Sequence, residues 1–258
     1  MHNYLVFLRK EVIEIIRTKR IIGLAAVFLF FAFTSPLLAR YMTEFIALLV
    51  PAEETLQFLI PDPMWTDSYA QFYSNIAQIG NITLILLFMG TIASERQRGT
   101  ADLVFTKGLG HMSFVLTKFT VLSITVLLTM IASIAIVFLY TSLLFDTAGN
   151  LGDVLIGTLV YSKFLILVIA LTIFASALSK SNVTAAMIGF LGFFAILILS
   201  AIPRIGDLLP GNLSARALEI TTAGHFHQHL AGNLLISLAL TIVFLALSAL
   251  VLQNQEGG

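Results

Sequence analysis

Apolar residues run through this chain in six long blocks with almost no charge inside them. The blocks cover residues 21–39, 76–94, 119–145, 154–178, 183–202 and 230–252. Each is about as long as the ~20 residues an α-helix needs to cross roughly 30 Å of hydrocarbon. None alternates strictly as a barrel strand does, and backbone groups in lipid must be satisfied internally, so the pattern predicts six transmembrane helices. Ahead of them, residues 3–20 place Leu5, Leu8, Val12 and Ile15 or Ile16 at helical spacing, while Arg9, Lys10, Glu14 and Arg17 fill much of the remainder. This predicts an amphipathic helix in the membrane interface, its basic residues toward anionic headgroups. The plainer alternative is a solvated leader to the first span. Lys10 and Glu14 form an i,i+4 pair worth a few tenths of a kcal/mol.

The segments between blocks carry their own signals. Residues 44–49 predict a short helix ended before Pro51, and Pro61-Asp62-Pro63 a break. Trp65, Tyr69, Phe72 and Tyr73 precede the second block and predict an interfacial aromatic belt, with the lining of a substrate entrance as the alternative. Ser179-Lys180-Ser181-Asn182 predicts a tight hairpin between spans four and five. Residues 203–229 hold Pro210-Gly211 and an apolar run at 213–220, suited to short re-entrant helices. With no repeat or linker in view, residues 1–258 are expected to form a single transmembrane domain.

Composition supports the pattern. The chain is 58% hydrophobic and 11% charged, against about 25% charged in soluble domains, and its mean hydropathy is +0.97. The absence of cysteine excludes disulfides, thiolate metal sites and cysteine nucleophiles. With the N-terminus inside, ten basic residues fall in cytoplasmic segments and three in outer ones, which satisfies the positive-inside rule. The fold expected is an all-α polytopic protein of the cell membrane, with six spans, an N-terminal interfacial helix over residues 1–20 and both termini cytoplasmic. Two acids before the first block, and no small-residue cleavage pattern after it, argue against a cleavable signal peptide.

Candidate chemistry is sparse. No Gly-rich loop ending in Gly-Lys-Ser/Thr is present to cradle phosphates, so energy from ATP must arrive through another polypeptide. No nucleophile elbow or intramembrane Ser–His or Asp–Asp pair occurs, and the chain is expected to be neither an enzyme nor a nucleic-acid binder. His225, His227 and His229 form an H-x-H-x-H cluster in which, on a helix, His225 and His229 would share a face. Zinc binding and a polar interfacial cap are both compatible with it. Lys163 is the one charge inside a block. Either it faces an interior cavity on a translocation path, or it snorkels to the outer surface.

Residues 95–118 stand apart, with four basic and two acidic residues in 24 positions. Glu95 falls where the dipole of the second span disfavours a carboxylate, so it needs a basic partner: Arg96, Arg98 or a residue of another protein. Gly99-Thr100 permits a turn and a cap, residues 101–106 a short transverse helix, and Gly108-Leu109-Gly110 a second break before the helix that carries Lys118. The arrangement reads as a lever; a solvated loop with positive-inside charges is the alternative.

Here the chain resembles the ABC-2-type permeases, the membrane subunits of a class of ABC transporters. Glu95, Gly99, Thr100, Leu103 and Lys118 stand where that family's first cytoplasmic loop has its Glu, Gly-Thr, coupling-helix Leu and span-opening Lys. Gly108 replaces the usual Pro, and His111 the usual basic residue. Lys10-Glu11 through Arg20, Ala177-Leu178-Ser179-Lys180-Ser181 with Ala185, and Leu209-Pro210-Gly211-Asn212-Leu213 are similar to three further family segments. The resemblance implies two permease subunits, alike or different, and separate ATPase subunits that hold ATP and magnesium; no cofactor is implied for this chain. It implies that the ATPase docks on the 95–118 loop at Glu95, Arg96, Arg98, Gly99, Thr100, Asp102, Leu103, Lys107 and His111. The expected activity is ATP-driven transport, in the export direction, of a lipid-like or amphipathic peptide substrate. Two other classes stay open: a non-transporting immunity, sensor or scaffold partner of an ATPase, and an ion-driven secondary transporter.

Overall fold

The computed structural model describes residues 2–49, 62–100, 106 and 110–256. Among them the secondary structure is helical, and six helices are long and apolar enough to cross a membrane. An even number of spans puts both ends on one side, which the basic residues assign to the cytoplasm.

Helix α1 (His2–Arg17) ends where Thr18 turns its hydroxyl back to the Glu14 carbonyl and Lys19 takes a left-handed conformation. Helix α2 (Arg20–Leu49) follows at once. It passes through Pro36 and absorbs residues 44–49, so the short helix expected there is the end of a 30-residue rod. Pro51 and Pro61 lie outside the described residues.

The second span is longer than its apolar block. It comprises α3 (Trp65–Asn75), a π-helical turn at Ile76–Gly80, α4 (Asn81–Phe88) and, past a loosened turn, α5 (Ala93–Gln97). Asn81 sends its side-chain amide to the Ala77 carbonyl, 2.9 Å, and to the Tyr161 hydroxyl, 3.2 Å, satisfying groups at the widened turn. The expected aromatic belt is corrected here: Tyr69, Phe72 and Tyr73 are buried between helices. The Tyr69 hydroxyl donates to the Ala148 carbonyl, and the Tyr73 hydroxyl lies 3.3 and 3.1 Å from those of Thr158 and Thr221. Helix α3 interleaves Thr66, Asp67, Ser68, Gln71, Ser74 and Asn75 with its buried aromatics, which is why no apolar block marked this part of the span.

Helices α6 (His111–Phe145), α7 (Leu151–Leu178), α8 (Asn182–Ser200) and α10 (Leu230–Glu256) form the other four spans. The hairpin at 179–181 forms as expected, with Ser181 and Thr184 in a reciprocal cap. The expected re-entrant segment consists of two 3₁₀ turns, Gly206–Leu208 and Pro210–Asn212, followed by α9 (Leu213–Ala223). Leu213, Ala217 and Ile220 of α9 are fully buried, and α9 packs along the outer part of α7. Gly157 permits this approach, since a Cβ there would lie 2.2 Å from Thr221 Oγ1 and 2.6 Å from the Ala217 carbonyl. The spans differ in enclosure: the most apolar stretch of α7 is 72% buried, those of α8 and α10 only 28%. Helix α7 is therefore the spine against which the others are placed.

Candidate functional site

The cytoplasmic end of the second span is held by hydrogen bonds to α7. After Phe88 the regular ladder lapses, and the amides of Ile92 and Ala93 both donate to Ser176 Oγ at 3.0 Å. Arg96 Nη1 reaches the Ala177 carbonyl at 3.0 Å, and Gln97 Nε2 the Lys180 carbonyl at 2.7 Å. These carbonyls lie at the C-terminal end of α7, where free acceptors and the helix dipole favour a cation. Gly99 then turns the chain at φ +66°, a left-handed conformation in which Cβ-bearing residues are strained. Thr100 donates its hydroxyl back to the Glu95 carbonyl at 3.0 Å. The break expected at Gly99-Thr100 is thus present.

The Glu95 side chain points away from this edge, into a junction of α1, α5 and α6. Its Oε1 accepts from Lys10 Nζ at 2.5 Å and pairs with Lys118 Nζ at 3.0 Å. Lys118 also donates to Glu11 at 2.9 Å, and Lys10 reaches Glu11 at 2.9 Å and Glu14 at 2.6 Å. Three carboxylates and two ammonium groups from three helices are therefore linked. Lys118 is 1% exposed, and its ammonium stands 4.9 Å from the ring centre of Phe114 and 5.8 Å from that of Phe7. Phe7 and Phe114 touch each other with centres 5.5 Å apart. The aromatic faces attract the cation while shutting out water. Glu95 Oε2 is buried without a hydrogen-bond partner.

The partner expected for Glu95 is thus corrected. Neither Arg96 nor Arg98 serves; Lys118 and Lys10 do, from positions 23 and 85 residues away in sequence. The expected Lys10–Glu14 pair forms, at 2.6 Å; sequence reasoning missed Glu11 and the link of this pair to Glu95 and Lys118. One usable signal was present: the acids of the cytoplasmic segments lie beside apolar helices that cannot host them unpaired. At the two partly buried members outside the spans, the charges act in opposite directions. Partial burial alone would raise the Glu14 pKa, but the hydrogen bond from Lys10 and the charges of Lys118, Lys10 and Arg20 outweigh it and lower it. Partial burial would lower the Lys10 pKa, but the Glu11 charge and the hydrogen bonds to Glu14 and Glu95 outweigh it and raise it. Glu11, Glu14 and Glu95 bring ligand atoms within 4.8 Å of one another, a spacing a cation could use. Each already holds at least one ammonium group.

The remaining expected loop residues divide by position. Arg98 and Thr100 are exposed, Arg96 and Gly99 half-buried, and His111 opens α6 in a half-buried position. Asp102, Leu103 and Lys107, with the transverse helix expected around them, lie outside the described residues. The three histidines do not share a helix face, because α10 begins only at Leu230. His227 Nδ1 instead accepts from the His229 amide at 3.2 Å. Lys163 lies 12 residues into α7, about 18 Å from its first residue. It is half-buried, and its ammonium has no partner among the described residues.

Comparison with known proteins agrees with the resemblance at the 95–118 loop. The chain is similar to the uncharacterized transmembrane protein YxlG of Bacillus subtilis (strain 168), 23% identical over an alignment 254 residues long that covers 95% of each chain. The family described as ABC-2 family transporter protein matches residues 5–230, from α1 through α9 to the first residue of α10. This multi-pass membrane protein therefore belongs to the ABC-2 transporter family.

Proposed function

We propose that this permease subunit serves an ATP-driven exporter, and that its separately encoded ATPase grips the cytoplasmic edge at Arg98, Gly99 and Thr100 together with the loop residues that follow them in sequence. The ion-pair junction of Lys10, Glu11, Glu14, Glu95 and Lys118 carries the reading. It joins the elbow that follows the second span to α1, which leads directly into the first span, and to α6, which is the third. A push on the exposed edge would therefore reach three spans through charges that cannot separate cheaply in an apolar setting. In this reading the exposed residues dock and the buried Glu95 transmits. The whole chain works as one unit, paired with a second permease subunit. The thinly charged spans suit a lipid-like or amphipathic peptide cargo.

Docking and transmission separate by mutation in vesicles that contain the permease and its ATPase. Arg98→Glu is expected to weaken co-purification of the ATPase about tenfold or more, as for a lost charged contact of ~1.5–3 kcal/mol. Glu95→Gln is expected to leave co-purification intact, while ATP hydrolysis no longer drives flux of a labelled phospholipid or amphipathic peptide. Normal co-purification of Arg98→Glu together with normal coupled flux in Glu95→Gln would refute the division of roles. Flux without the ATPase would indicate an ion-driven carrier, and docking with no flux of either cargo a non-transporting partner.

A further inference from the structure

Lys163 faces a groove of about 430 Å³ between α6, α7 and α10, within the range of roughly 300–1,000 Å³ common for ligand sites. Its walls are aliphatic, from Leu127 on α6 through Ile156, Leu159 and Ile166 on α7 to Leu234 and Leu235 on α10. The groove opens sideways from the bundle, as the 50% exposure of Leu159 and 66% of Leu235 show. Its level is set by Ser237, which donates to the Lys163 carbonyl at 3.3 Å and lies seven residues, about 10 Å, into α10 from the outer end. Between the first turn of α7, which carries Asp153, and Lys163, the helix presents Leu155, Ile156 and Leu159, all exposed. Lys163 thus lies below the outer ends of both helices, about 18 Å from that of α7 and about 10 Å from that of α10, and its flexible side chain can extend outward toward a headgroup.

Polar groups in the groove are few, and all but one are engaged. Ser162 donates its hydroxyl to the Thr158 carbonyl at 2.7 Å, leaving the Lys163 ammonium as the free donor. A peptide would bury backbone amides there without acceptors. An acyl chain needs none, and an anionic headgroup supplies the charge that Lys163 lacks.

We propose that this groove binds an anionic phospholipid of the outer leaflet, its headgroup on Lys163 and an acyl chain along Leu127, Leu159 and Leu234. The site stands whether or not the bound lipid is transported, and so does not depend on the exporter reading. The test uses the single tryptophan of the chain. In a Trp65→Phe background, Leu235→Trp places a reporter on the rim, and Ile242→Trp, at a 58% exposed position on the same helix, serves as the reference. Each protein is reconstituted in phosphatidylcholine with a minor fraction of brominated phosphatidylglycerol or brominated phosphatidylcholine. At the rim, brominated phosphatidylglycerol is expected to show about a fivefold preference in quenching, as one lysine confers on an anionic lipid. That preference should vanish in Lys163→Met, persist in Lys163→Arg and be absent at the reference position. Equal quenching by the two lipids at the rim, or a preference unchanged by Lys163→Met, would overturn the proposal.

Discussion

Replacing Lys118 by Met should release α1 from the elbow while leaving the bundle assembled. Lys118 is 1% exposed, and its ammonium bridges Glu11 and Glu95, whose side chains are 9% exposed. Met keeps most of the side-chain volume and its contact with Phe7 and Phe114, so the loss is mainly electrostatic. Two nearly buried carboxylates are then left to Lys10, which is 42% exposed and already holds Glu14. Removing one partner of a buried pair costs ~3–5 kcal/mol, and screening through Lys10 places this case near the lower figure. About 3 kcal/mol shifts an equilibrium roughly a hundredfold. Because α1 is an end segment, local undocking should absorb the shift before global unfolding does. The assay is trapping with a bifunctional thiol cross-linker, made clean by the absence of native cysteine. Tyr4 and Thr120 place their hydroxyl oxygens 3.4 Å apart across α1 and α6; the tyrosine ring separates the two Cβ atoms too far for a direct disulfide, so a Tyr4→Cys, Thr120→Cys pair joined by a bifunctional thiol reagent that spans the ring reports docking. Lys118→Met should slow trapping strongly. Adding Glu11→Gln and Glu95→Gln should restore most of it, because the penalty lies in the unpaired charges. Unchanged trapping in Lys118→Met, or no recovery in the triple variant, would refute the reasoning.

Three further outcomes follow from the same structure. Glu14 has a folded pKa below its ordinary 4.5, so its contribution is present above that value and is lost as pH falls through the folded one. Lys10 has a folded pKa above its ordinary 10.5, so its contribution is present below 10.5 and is lost as pH rises through the folded one. Hydrogen exchange of α1, corrected for intrinsic rates, should therefore stay slow across neutral pH and accelerate at both extremes. Gly157→Val should drive α9 off α7, since the added atoms meet Thr221 and the Ala217 carbonyl; overpacking of about 1–3 kcal/mol should appear as a lower Tm in detergent. Ser176→Ala should leave the amides of Ile92 and Ala93 without their acceptor, and exchange at those two amides should rise by a factor expected from ~1–3 kcal/mol.

The parts legible in the sequence were those set by local rules. Apolar runs located five of the six spans closely, because lipid-facing helices must be apolar along most of their length. The second span was misjudged at its outer end, where Thr66, Asp67, Ser68 and Gln71 of α3 interrupt the apolar run although Tyr69, Phe72 and Tyr73 are buried among the helices. Gly99 was legible as a turn because a left-handed residue favours glycine. The partners of Glu95 were not legible, since no spacing rule connects residues 10, 95 and 118. The histidine pairing on one face failed because α10 starts just after His229.

The sequence alone determined six spans, the side on which both ends lie, the absence of a phosphate loop and a polar cytoplasmic loop that breaks at Gly99. These follow from residue-by-residue transfer into lipid, from charge bias and from backbone conformation, each of which acts over a few neighbouring residues. Tertiary structure decided that Glu95 turns inward to Lys118 and Lys10, that α3 extends the second span, that α9 folds back on Gly157 and that Lys163 opens on a lateral groove. Those are questions of which helix meets which, and they are answered where polar groups far apart in the chain must find one another because the membrane offers them no water.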